Sequence, residues 1–252
     1  MCNKPLIPLL LLLAIAFSSS AQQPVSTATS ADTARMIVER YLNALNYDSL
    51  PSNSVLYIES SIYDFENRSD TLFMKRWFMP PHCFRTELWY HKQLQIGYRT
   101  DGQSISRMYD TVKHAWTDID LASYYDFGGS YDFHGPLYYW RSNGTEMHYV
   151  GEREVGGVKV YQVHVETPRM YSRDYLFEQK DGLLFFIIEH PQTFGDEKLR
   201  GEHVEWRAFT DYVHVGKCLM PYTESYKHNG QVTVIDHRYT IMKKDKRIFE
   251  KD

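Results

Sequence analysis

The chain has 252 residues, with 28 Lys and Arg against 32 Asp and Glu, a formal charge of −4 and 15% aromatic residues. An acidic balance without any basic run excludes nucleic acid as the natural partner. A length of this order suits one all-β domain without a second core.

In chain order the first feature is a leader. Met1-Cys2-Asn3-Lys4 carries a positive charge, Pro5 to Phe17 is almost wholly apolar, and Ser18-Ser19-Ser20-Ala21 supplies small residues before Gln22. That order reads as a secretory signal over residues 1–21. The apolar run is shorter than the ~20 residues a membrane-spanning helix needs. Cys2 precedes that run instead of following it, so no lipid anchor is expected and the protein is read as periplasmic. Cleavage removes Lys4 and leaves 27 basic against 32 acidic residues, a charge of −5. It also leaves two cysteines, Cys83 and Cys218. Either they pair in an oxidising compartment, closing a long loop worth ~5 kcal/mol in the chain-entropy model, or they are separate buried thiols.

Residues 22–30 are rich in Ser, Thr and Gln and read as a flexible tether, followed by a single domain over 31–252. Ala34, Ile37, Val38, Tyr41, Leu42 and Leu45 recur at helical spacing, which predicts an amphipathic helix over about 31–46. From Val55 the period becomes two. Leu56, Ile58 and Ile62 alternate with Tyr57, Glu59 and Tyr63, and Phe84, Thr86, Leu88 and Tyr90 with Arg85, Glu87, Trp89 and His91. Leu94 to Tyr98 and Ile105 to Tyr109 flank Asp101-Gly102, which predicts a two-residue hairpin there. Turn pairs recur at Gly156-Gly157, Asp181-Gly182 and Asn229-Gly230, among strands read at 149–165, 171–177, 183–189, 204–212, 219–226 and 232–242. The sheet is therefore mostly antiparallel, a meander in two halves. Residues 121–144 fit neither period; Tyr124, Phe127, Phe133 and Trp140 stand among glycines there, and the segment reads as a lid or plug.

These features together resemble the lipoprotein-sorting (LolA/LolB-like) family of periplasmic carriers in its Bacteroidetes form. The resemblance is carried by the helix Ala34 to Leu45 followed by Leu56-Tyr57-Ile58-Glu59-Ser60, and by the run Gly151 to Val163. Lys180-Asp181-Gly182-Leu183-Leu184, Phe209-Thr210-Asp211-Tyr212, Val215-Gly216 and Leu219-Met220-Pro221 add to it. It implies a mainly β fold with an N-terminal helix, a curved antiparallel incomplete β-barrel wrapped over helices around an apolar cavity. The implied activity is non-enzymatic binding and transport of a lipid or acylated protein cargo, with hand-over to a membrane protein. No residue matches the arginine that gates the cavity in that family. The middle segment is also longer and more aromatic.

A curved sheet has more inner surface than one helix covers, so large side chains or a ligand must fill the remainder. The residues expected to line that space are Ile37, Val38, Tyr41 and Leu42 of the helix, Trp77, Trp89 and Trp116 of the sheet, and Tyr124, Phe127, Phe133 and Trp140 of the lid. The chain is read as a monomer without cofactor or metal.

Enzyme motifs are missing from the sequence. There is no Gly-x-Ser-x-Gly, no His-Glu-x-x-His and no glycine-rich phosphate loop. His164-Val165-Glu166 and His203-Val204-Glu205 each put two polar groups on one strand face. A secreted enzyme, the alternative reading, would draw on those residues with perturbed pKa values. A third reading is a cell-envelope interaction module with a filled core.

Overall fold

The computed structural model describes residues 27–79, 83–101, 106–119, 137–142, 144–167, 172–190 and 205–250. Helix α1 runs Thr27–Leu45. Residues 27–30, expected to be tether, thus belong to the helix, and Ser30 is buried with its hydroxyl donating to Tyr149 O at 2.9 Å. The helix stops at Asn46, whose left-handed backbone (φ 52°) ends the α-helical run. Its amide hydrogen-bonds Leu42 O, and its side chain reaches Lys217 O at 3.1 Å.

Two antiparallel meanders follow. The first holds β1 (Ser54–Asp64), β2 (Leu72–Met79), β3 (Cys83–Tyr90), β4 (Gln93–Thr100), β5 (Ser106–Asp110) and β6 (Ala115–Asp118). The second holds β7 (Glu146–Val155), β8 (Val158–Glu166), β9 (Ser172–Glu178), β10 (Leu184–His190), β11 (Glu205–Val215), β12 (Cys218–His228) and β13 (Gln231–Lys243), with a short α2 (Arg247–Glu250) behind it. β1 pairs with β13 along its whole length, so the halves join into one 13-stranded sheet whose edges are β6 and β7. The chain between Asp118 and Glu146 links these two edges. The sheet curls without closing: one apolar cluster joins Phe84 and Tyr98 of the first half to Val215, Cys218 and Met220 of the second. The expected half-barrel is thus an open curved sheet and not a closed barrel.

β2 and β6 were not foreseen, and for β2 the reason is packing on both faces. β2 reads Leu-Phe-Met-Lys-Arg-Trp-Phe-Met, without alternation, because Phe78 joins the helix-side cluster while Trp77 and Met79 pack on Phe249 of α2. Turn chemistry succeeded at Asn229-Gly230, where both residues have positive φ and His228 pairs Gln231. At Asp101-Gly102 the strands do not meet across two residues, since Thr100 pairs Ser106, and Gly102 lies outside the described residues. The cysteines lie on opposite sides of the sheet. Cys218 is buried in the helix-side cluster, while Cys83 packs with Val55 and Phe249. Both are free thiols, which settles the open alternative against pairing.

Candidate functional site

Strand periodicity assigns every side chain to one of two sides, and α1 defines which side is inner. Ala34, Ile37 and Val38 pack on Met147, Val163, Val165, Tyr175, Phe177 and Ile187 of the second half, with Tyr41, Leu42 and Trp140 against the same cluster. Arg40 clasps the β9–β10 turn, donating to Gln179 O and Lys180 O at 3.2 and 2.9 Å. Gly182 makes this approach possible: its φ is +79°, and a Cβ there would meet the Arg40 side chain at 2.8 Å.

Coverage by the helix is uneven. Leu45 and Tyr47 reach Leu56, Ile58, Phe78, Phe84 and Tyr98 in the first half. Further along the same strands the inner residues are not covered. Met74 pairs Leu88 and Leu88 pairs Ile96, so all share the inner side with Ser60. Met74 and Leu88 are partly exposed, Ile96 is 54% exposed, and Met108, opposite Tyr98, is 41% exposed. Ile62 and Leu72, also paired and partly exposed, extend this apolar strip.

Beside the strip runs a band of polar side chains that sequence reasoning missed. Arg173 and Arg207 both reach Glu189, at 3.5 and 3.1 Å, and Arg207 reaches Glu224 at 3.5 Å. His237 Nε2 lies 3.7 Å from Glu224, and its Nδ1 is 2.8 Å from Ser60 Oγ. Burial lowers the His237 pKa and favours the neutral ring, whereas that histidine and Arg207 hold the Glu224 carboxyl below its ordinary value despite its burial. Burial also raises the phenols of Tyr41, Tyr175, Tyr212 and Tyr239, so the tyrosines between helix and sheet stay neutral. The one local signal for the band was hidden, because β2 itself was not foreseen. Lys75 and Arg76 are adjacent on a strand, so one of the two cations must face inward.

The eleven residues expected to line the hollow divide three ways. Ile37, Val38, Tyr41, Leu42 and Trp140 are on the inner side, with Trp140 flanked by the guanidinium of Arg141 at 4.8 Å. Tyr124, Phe127 and Phe133 lie outside the described residues. Trp77, Trp89 and Trp116 face away from the helix, which corrects their expected place in the lining. Trp77 alternates with the inner Phe78, and Trp89 donates to Glu87 at 2.9 Å. Trp116 lies under the Arg99 guanidinium at 4.5 Å and the Arg85 guanidinium at 5.4 Å. Gly97 leaves room for that ring, since a Cβ would meet Trp116 at 2.6 Å. Arg85 also donates to Glu87 at 2.7 Å and to Ile248 O at 2.9 Å, tying α2 to the sheet. Aromatic content alone does not reveal the side; the partner's register does.

Of the residues weighed for an enzyme, His164 and Glu166 lie on the outer side, whereas Glu205, opposite Glu189, faces the inner side. His164 Nδ1 is 2.7 Å from Asp174, and Nε2 is 3.1 Å from Glu166 and 3.3 Å from Ser172 Oγ. The hydrogen bond to Asp174, then that to Glu166, raises the His164 pKa. In the protonated form that the two carboxylates favour, the ring donates from both nitrogens and has no lone pair to accept the Ser172 proton. Glu205 pairs with His228 at 2.6 Å, and His203 lies outside the described residues. Among the described residues no group of three His, Cys, Asp or Glu side chains is arranged to hold a metal ion.

No family model matches the chain, and no curated protein matches it either. Solved structures do match. A LolA superfamily protein of Nitrosomonas europaea aligns with a TM-score of 0.55 at 10% identity, over 87% of this chain and 98% of that one. An outer-membrane lipoprotein-sorting protein domain of Vibrio parahaemolyticus aligns at 0.54 and 9%, over 83% and 93%. A DUF1329 family protein of Desulfovibrio piger aligns at 0.52 and 13%, over 86% and 96%. At such identities the likeness speaks for the fold, which is LolA-like.

Proposed function

We propose that this chain, with its LolA-like fold, is a non-enzymatic periplasmic carrier or chaperone. It holds the acyl chains of a lipid or acylated protein between α1 and the uncovered part of the sheet. The observation that carries the reading is the apolar strip Ile62, Leu72, Met74, Leu88, Ile96 and Met108, on the helix side but beyond the helix's reach. Monomeric soluble proteins seldom leave such inner surface open without use. Burying acyl methylenes there at ~0.8 kcal/mol each supplies affinity without a covalent step. The leader-like residues 1–21 support export, and the likeness in fold to a lipoprotein-sorting protein domain supports the class of cargo.

In this reading Ile37, Val38, Tyr41, Leu42 and Trp140 form the fixed wall. Tyr124, Phe127 and Phe133 belong to a lid that admits cargo, a membrane protein receives it, and the carrier works as a monomer. The clamped His164 favours the carrier over the enzyme. Native mass spectrometry of protein purified from its own host's envelope should show retained acyl-bearing mass, displaced by a fluorescent fatty-acyl probe that saturates at one site. Protein that comes off clean and fails to saturate with the probe would sink the reading.

A further inference from the structure

The inner polar band nearly closes on itself. Glu189 is engaged by Arg173 and Arg207, and Glu224 by Arg207 and His237, so each carboxylate already has its cation or donor. Arg76 is the exception. Its Nε is sealed from solvent without a hydrogen-bond partner, and among the described residues its guanidinium forms no ion pair. Glu224 and Tyr239 act on it only through space, and burial works against its charge. A guanidinium offers five N–H donors in a rigid fork, so leaving it unmatched beside a desolvated wall is costly unless an acceptor arrives.

Its position says what kind of acceptor. Along β2, Phe78 on one side of Arg76 belongs to the covered core, and Met74 on the other side belongs to the open strip. Across the strands, Arg76 stands level with Ile58 and Thr86, both buried. Arg76 therefore marks the border where dry core gives way to uncovered apolar surface, with Met74, Leu88 and Ile96 leading away from it. Lys75 is on the opposite side and cannot substitute.

We propose that Arg76 receives the oxyanion head group of the cargo, a carboxylate or a phosphate monoester, while the attached acyl chain lies along Met74, Leu88 and Ile96. The assignment rests on the carrier reading and narrows it to singly headed anionic amphiphiles. The planar fork donates to two oxygens of one anion at once, a charge-assisted pair that an uncharged hydroxyl head group cannot supply.

Calorimetric titration of the full-length processed protein tests this with four probes: palmitate, palmitoyl lysophosphatidate, uncharged monopalmitoylglycerol, and acetate as a head without a chain. Both charged amphiphiles should bind at least about tenfold tighter than monopalmitoylglycerol, because a charge-assisted hydrogen bond is of that order, and acetate should not bind measurably. The stronger of the two anions identifies carboxylate or phosphate as the natural head. R76M should erase the preference while leaving monopalmitoylglycerol affinity undiminished and Tm little changed, since among the described residues Arg76 has no hydrogen bond or ion pair to lose. R76K, which keeps the charge but not the fork, should retain part of the preference. Equal binding of charged and neutral amphiphiles, or a preference that survives in R76M, overturns the assignment while the carrier reading stands. Failure of all three amphiphiles to bind brings down the carrier reading, and this assignment with it.

Discussion

The two meanders solve the same problem in different ways. In the second, α1 packs on the inner face of β7 to β11, and Ala34, Val38, Val163 and Phe177 are fully buried against one another. In the first, the helix covers only the rows nearest Leu45, while the far rows stay open at Ile96 and Met108. The first meander compensates on its outer face, where α2 and the ladder of Arg85, Arg99, Trp77 and Trp116 close the sheet. Both halves bury apolar clusters on their outer faces, Val160, Leu176, Phe186 and Trp206 in the second and Val55, Met79 and Phe249 around the first, but the far inner rows of the first stay open for another use.

The largest effect expected of this division is in the covered half. Phe177→Ala removes a ring that is fully buried and packed at 5.4 Å on Tyr41, and it should destabilise by ~3–5 kcal/mol in denaturant unfolding. A loss under ~1 kcal/mol would mean that the helix-covered half is not the dry core described.

Ile96→Ser sharpens the contrast. At 54% exposure its stability cost should stay within about 0.5 kcal/mol, while saturable binding of a fatty-acyl probe weakens clearly. A stability loss comparable to that of Phe177→Ala would show that the first meander's inner face is ordinary core.

The smallest effect lies on the outer face. The folded-state pKa of His164 is raised, first by its hydrogen bond to Asp174 and then by Glu166. Its contribution is fully present below the unfolded value of about 6.5 and is lost as pH rises through the raised folded value. Unfolding curves of the wild type and His164→Gln should therefore differ most at acidic pH and converge above neutrality. A gap that widens with rising pH would contradict the clamped imidazolium.

How much was legible follows from which periodicities were clean. The helical face of Ala34 to Leu45 and the alternation of β1 and β3 show one apolar side, so element type and the side to be buried could both be read. β2 could not be read, because its two faces pack on different partners and the pattern cancels. The tryptophans were misplaced because bulk and aromaticity signal burial without saying on which side. The paired residues Tyr57 and Arg85 settle the side of Trp77. Arg76 went unnoticed because nothing local distinguishes an inward from an outward arginine on a strand.

By itself the sequence determined the helix, the hairpin at Asn229-Gly230 and the two-halved antiparallel meander, since each depends on contacts between residues near in the chain or on a period within one element. Only the tertiary structure decided that β1 zips onto β13, that the cysteines lie on opposite faces, and that the far end of the first meander stays open with Arg76 at its border. Those outcomes depend on register between strands more than 150 residues apart, such as Ser60 opposite His237, and no local pattern encodes that alignment.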